Sequence, residues 1–144
     1  MTAAVLTTVD AAALRLAVMR LARRLRQQAD AGITQSQLSA LATVERLGPV
    51  PLRELAAAER VGPSTLTRIV AALEDEGLLQ RTTDPIDRRV ALVSLTAAGS
   101  RVLSEVRKRG TRLLQERLAT LEGDAAAALA AALPILEHLI ADER

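Results

Sequence analysis

The stretch PSTLTRIVAAL, residues 63–73, decides the fold. Leu66, Ile69, Val70 and Leu73 stand at i, i+3, i+4 and i+7, so at 3.6 residues per turn all four share one face of a helix. That face is core. The opposite face carries Ser64, Thr67, Arg68 and Ala71, with Thr65 on its flank, a set of small polar groups and one cation that can approach a flat, charged surface closely. Gly62 is an acceptable cap, Pro63 suits the first helical position because its missing N–H would be unpaired there anyway, and Gly77 fits a left-handed stop. Glu74, Asp75 and Glu76 sit at the C-terminal end, where their charge opposes the helix dipole and is expected to add nothing to helix stability. Those acids would repel phosphate, so the Ser64/Thr65 end is the one able to meet an anionic partner.

On the N-terminal side of this helix, residues 52–59 (LRELAAAE) are helical with Leu55 and Ala56 inward, and Arg60-Val61-Gly62 turns the chain. Two short helices joined by a tight turn containing glycine form a helix-turn-helix pattern. On the C-terminal side, residues 78–83 and 90–95 have strand composition, and Asp84-Pro85 marks the turn between them. The result is a β-hairpin with Arg88 and Arg89 near its tip. A helix-turn-helix followed directly by such a hairpin predicts a winged helix.

Further out, Pro49-Val50-Pro51 predicts a short extended connector. Before it, Thr34-x-x-Gln37 is a capping box opening a helix with Leu38, Leu41, Val44 and Leu47 inward and Gly48 at its end. Asp10 caps a helix over residues 10–30, striped by Leu14, Val18, Leu21 and Leu25 at nearly heptad spacing. Thr96 caps a long helix to about Leu121 through Val102, Val106, Leu113, Leu114, Leu118 and Leu121. Glu122-Gly123-Asp124 interrupts, and residues 125–141 form a last helix through Leu129, Leu133, Leu136 and Ile140, which Pro134 should kink or split. The fold class is mainly α with a small β-hairpin wing. The terminal helices lack a full set of partners within one chain, which points to a helical layer shared by a dimer.

Composition narrows the function. The 144 residues include no cysteine and no aromatic residue, so thiol chemistry is excluded and the core must be built from Leu, Val, Ile and Ala. One histidine, no Tyr, no glycine-rich phosphate loop and no metal-ligand spacing argue against an enzyme; no catalytic residue, metal or cofactor is expected. His138 reads as a surface or interface histidine. Net charge is only +2, so bulk electrostatics point weakly to nucleic acid and particular arginines must carry that reading. Five arginines and no acid lie between Arg15 and Arg26, and six basic residues against two acids between Arg101 and Arg117. These, Arg107-Lys108-Arg109 included, read as solvated helix faces. The segment MTAAVLTTVD lacks a basic n-region, and no apolar run is long enough to span a bilayer, so a cytoplasmic protein with no membrane partner is expected.

Ser64-Thr65-Leu66-Thr67-Arg68, Leu73-Glu74-x-x-Gly77-Leu78, Asp84-Pro85-x-Asp87-Arg88-Arg89 and Leu95-Thr96-x-x-Gly99 occur in that order. Jointly they make the chain resemble the MarR family of transcription regulators over nearly its whole length. The resemblance implies a single regulator domain, residues 1–144, with a winged helix-turn-helix region at 34–96 and dimerisation helices at 10–30 and 97–142. It implies a homodimer on a pseudo-palindromic double-stranded DNA site, with recognition helix 63–76 in the major groove and wing 82–91 in the minor groove. It also implies a repressor released by a small-molecule effector bound between the dimerisation and DNA-binding layers; the effector residues remain unknown. The missing cysteine departs from members that sense peroxide, and the single histidine from those that sense zinc.

The expected DNA-binding residues are Ser64, Thr65, Thr67 and Arg68 on the helix, Arg88 and Arg89 on the wing, and Arg53 and Arg60 toward backbone phosphate. The hydroxyls can donate to phosphate or base edges, and Arg68 can bridge guanine O6 and N7. An arginine on a thin hairpin gains from the negative potential of a narrow minor groove, with Asp87 orienting it. Two alternatives stay open: a winged helix used as a protein-interaction module, and a non-specific architectural DNA-binding protein.

Overall fold

A computed structural model describes residues 9–29 and 32–141. Six helices and three short strands follow one another there as α1 (Ala11–Gln28), α2 (Gln35–Leu47), β1 (Val50–Pro51), α3 (Leu52–Glu59), α4 (Pro63–Asp75), β2 (Leu79–Thr83), β3 (Ala91–Leu95), α5 (Ala97–Leu118) and α6 (Ala125–Ile140). The caps form as their residue types dictate. Asp10 accepts from the amides of Ala12 and Ala13, and Thr34 and Gln37 make both bonds of the capping box. The N-terminal segment before residue 9, Asp30 at the expected end of the first helix and Asp142 at the expected end of the dimerisation region lie outside the described residues.

The core gathers Leu41 and Val44 of α2, Leu55 of α3, Leu66, Val70 and Leu73 of α4, Val93 of β3 and Leu103 of α5. Ile69 packs against it from the edge. Of the face expected on α2, Leu47 is exposed, because it occupies the last turn before Gly48 redirects the chain. On α5 the fully buried core side chain is Leu103, absent from the expected stripe; Val102 of that stripe packs against the core, Val106 is half-buried, and Leu118 and, beyond the helix, Leu121 are exposed. Only the first turns of α5 lie on the winged-helix core. Beyond them the helix runs alongside α1 and away from the buried layer.

Residues 49–51 are more than a connector. Val50 is buried and pairs with Val93, making the wing sheet three-stranded and antiparallel in the order β1-β3-β2. Pro51 is tolerated because β1 is an edge strand with one neighbour. The hairpin register runs from Leu79 opposite Leu95 to Thr83 opposite Ala91, so the strands are slightly shorter than expected. Pro134 lies inside α6 without splitting it; the helix continues on both sides, losing only the bond the proline nitrogen cannot donate.

One junction ties these elements together. The Thr96 hydroxyl donates to the Gly77 carbonyl at 2.7 Å, and the Thr96 amide donates to the Leu78 carbonyl at 3.1 Å. The same hydroxyl accepts from the Gly99 amide at 3.0 Å, capping α5. Gly99 is required by this closeness, since a Cβ there would collide with the Leu78 carbonyl oxygen.

Candidate nucleic-acid interface

The start of α4 is exposed and open. Gly62 provides no side-chain cap and Pro63 occupies the first position, so the amides of the first turn point outward beside exposed Ser64 and half-buried Thr65. The helix dipole puts positive potential at this end. Thr67 donates its hydroxyl proton to the Pro63 carbonyl at 2.8 Å, so toward an outside partner its oxygen acts as an acceptor rather than the expected donor. Arg68 is exposed, one turn further along the same face, and its guanidinium has no hydrogen bond or ion pair within the described residues.

Arg60, in the turn between α3 and α4, has φ 54° and ψ 42°, the left-handed conformation that glycine adopts most readily. Its amide and that of Val61 close the end of α3 through the Ala57 and Ala56 carbonyls. Nothing in an arginine side chain announces a left-handed backbone, so the sequence carries no signal for it. Arg53, in the first turn of α3, is exposed; neither it nor Arg60 has an ionic partner among the described residues.

The hairpin is joined to α4 by an ion pair between Arg81 on β2 and Glu74. Glu74 therefore has a structural use that its unfavourable place on the helix dipole hid. At the tip, the Arg89 guanidinium lies against Asp87 in a two-pronged contact, Nε to Oδ1 at 3.0 Å and Nη2 to Oδ2 at 3.2 Å. The Arg89 amide adds a bond to Oδ1 at 3.1 Å. These hydrogen bonds, the side-chain ones first, hold the Asp87 carboxyl below its ordinary value of 3.8, so it stays ionised. Asp87 thus aims the guanidinium while leaving the Arg89 side chain 91% exposed. Arg88 is exposed beside it and unpaired among the described residues.

A separate cleft of about 410 Å³ opens between the end of α1, the start of α2 and the middle of α5. Leu25, Ile33, Leu38 and Val106 give it apolar walls, and Arg23 and Arg26 stand at it as cations. Gly110 also lines it, where an added Cβ would meet nothing within 4 Å. The sequence carried one signal for this cleft: a glycine in the interior of a 22-residue helix, which weakens the helix without any steric need in the chain. His138 is exposed on α6, and the described residues hold no group of three or more His, Cys, Asp or Glu side chains able to take a metal.

The MarR family model matches residues 33–91, from the start of α2 through the wing. An uncharacterized HTH-type transcriptional regulator of Mycobacterium leprae is 40% identical over 112 residues, covering 77% of this chain and 78% of its own length. The chain belongs to the MarR family. A crystal structure of another protein of the fold, a putative transcriptional regulator of Pseudomonas aeruginosa, superposes with a TM-score of 0.83 at 41% identity, covering 92% of this chain and 95% of that one. A mutant of S. aureus MepR, solved bound to an oligodeoxyribonucleotide, shares the fold at 17% identity with a TM-score of 0.71 over 90% of this chain and 96% of its own. This MarR protein is a helix-turn-helix transcriptional regulator and not an enzyme. No described helix is long and apolar enough to cross a membrane.

Proposed function

We propose that the chain is a homodimeric, sequence-specific repressor in the cytoplasm that grips a pseudo-palindromic duplex, with α4 in the major groove and the wing in the minor groove. The observation that carries the reading is the wing tip, where Asp87 holds an exposed Arg89 guanidinium on a thin hairpin. Such a group gains most where negative potential is concentrated, as in a narrow minor groove. The unpaired Arg68, the open amides of α4 and the Ser64 and Thr65 hydroxyls supply the major-groove and phosphate contacts, with Arg53 and Arg60 on the flanking backbone. The DNA-bound structure of the fold-sharing S. aureus protein supports the assignment of the partner.

Dimerisation is supported by α1 and α6, neither of which buries a single residue within the chain. Leu14, Val18 and Leu21 on one and Leu133, Leu139 and Ile140 on the other leave apolar surface that a second copy would cover. Symmetry then places the two recognition helices about one DNA turn, roughly 34 Å, apart. The cleft between α1, α2 and α5 is the proposed effector site. Its aliphatic walls and two arginines suit an apolar molecule carrying an anionic group. Such an effector releases DNA by favouring a spacing of the wings different from the bound one.

The test is fluorescence anisotropy with a labelled duplex from the region upstream of the protein's own gene. An extrinsic label is needed because the chain has neither Trp nor Tyr. Tight binding that resists random duplex and weakens steeply with salt is expected. Arg68→Ala should lose about 1–3 kcal/mol with relaxed sequence preference. A monomer, or a duplex affinity untouched by both Arg68→Ala and Arg89→Ala, would sink the proposal.

A further inference from the structure

Ile86, at the end of the hairpin, is 95% exposed, the highest value for a large apolar side chain among the described residues. The loop around it is not free to fold it away. Asp84 accepts from the Ile86 amide at 2.8 Å, the Asp84 amide donates to the Val90 carbonyl at 2.9 Å, and the Val90 amide donates to the Asp87 carbonyl at 3.0 Å. With the Asp87 contacts to Arg89, the segment from Asp84 to Val90 is held by its own bonds. A β-branched side chain is also stiff about χ1, so ordering it against a partner costs little.

We infer that Ile86 is a DNA-contacting residue: it lies against the deoxyribose walls of the minor groove while Arg89 takes the groove's negative potential. This rests on the placement of the wing in the minor groove. The chemistry favours DNA over another protein, because the apolar surface here is confined to Ile86 and the neighbouring Pro85, and on the same tip the cations Arg88 and Arg89 are exposed while the carboxylates Asp84 and Asp87 are half-buried and engaged within the loop. A groove with anionic edges and C–H-lined walls matches that combination. A second copy of the chain already has the larger apolar faces of α1 and α6 to cover.

The experiment compares the parent with Ile86→Ser, Ile86→Val and Arg89→Ala, using the labelled upstream duplex across a salt series, with light scattering for oligomeric state and thermal melts alongside. Ile86→Ser is expected to bind about tenfold more weakly, two wings together, with an unchanged salt slope, since no charge contact is lost. Ile86→Val should restore most of the affinity. Arg89→Ala should instead flatten the slope. Melting temperature should not move in Ile86→Ser, because the side chain packs on nothing within the chain. Binding by Ile86→Ser within twofold of the parent overturns the inference while Arg89→Ala still tests the wing. Loss in neither variant takes the wing off the DNA and overturns both. A change in oligomeric state on Ile86→Ser assigns the residue to a contact between copies and likewise overturns the proposal.

Discussion

Arg60 is the one described residue other than glycine with a positive φ. Glycine adopts that conformation without a Cβ penalty, so Arg60→Gly is expected to stabilise the fold by about 0.5–1 kcal/mol. Its melting temperature should rise by about 2–4 °C. The proposed phosphate contact leaves with the guanidinium, so the same variant should bind duplex more weakly and with a shallower salt dependence. Calorimetry and anisotropy on one sample would show the two quantities moving in opposite directions; a variant that binds as well as the parent makes Arg60 a turn residue only. Asp87 gives a second prediction. Its pKa is lowered by the Arg89 bonds, so the pair contributes above the ordinary carboxylate range and is lost as pH falls through the lowered value. Between about pH 5 and 8 the aim of Arg89 is therefore constant, and titrating DNA affinity over that window should show no step from this pair. Asp87→Asn should weaken binding at every pH in the window without changing the fold, since the residue contacts only the wing tip.

At the level of elements, two glycines on α5 should respond oppositely to the same change. Gly99→Ala drives a methyl into the Leu78 carbonyl, backbone that cannot yield cheaply, and should cost about 2–4 kcal/mol by denaturant titration. Gly110→Ala adds a methyl to open space in a helix interior and should stabilise by about 0.5–1 kcal/mol while narrowing the cleft. The helices were legible in the sequence because their signals are local. The i, i+3, i+4, i+7 pattern of α4, the Thr34 box and the Asp10 cap each act within two turns of chain. The hairpin was legible from two β-rich runs around Asp84-Pro85. What escaped depends on distant partners. β1 is two residues long, one a proline, and becomes a strand only because Val93 lies beside it. Leu103 is fully buried beside the expected Val102, which packs at the edge of the core, in the helix that the junction at Thr96 ties to the hairpin. The proposed site residues could be named from residue type and place, and all but half-buried Thr65 and Asp87 are exposed, whereas the Arg81–Glu74 tie and the Thr67 bond to Pro63 depend on side-chain geometry that residue identity does not encode.

For the whole molecule, the proposed partner subunit should be essential rather than auxiliary. Leu139→Glu places a charge within the exposed apolar face of α6 and should yield monomers by light scattering. The winged-helix region, whose core contains no α6 residue, should keep its circular dichroism. Duplex affinity should fall by about 100-fold or more as the second binding event is lost. A Leu139→Glu protein that stays dimeric would move the interface elsewhere. The junction at Thr96 also has a mechanical consequence. One side chain and its amide link the exit of α4, the base of the hairpin and the beginning of α5, and together with the Arg81–Glu74 ion pair they set the angle between α4 and the wing. In the proposed dimer, a tilt of α5 levered from its middle, where the cleft lies, would swing helix and hairpin together like a blade on its shaft, and the distance between the two blades of the pair would be the quantity a bound molecule adjusts.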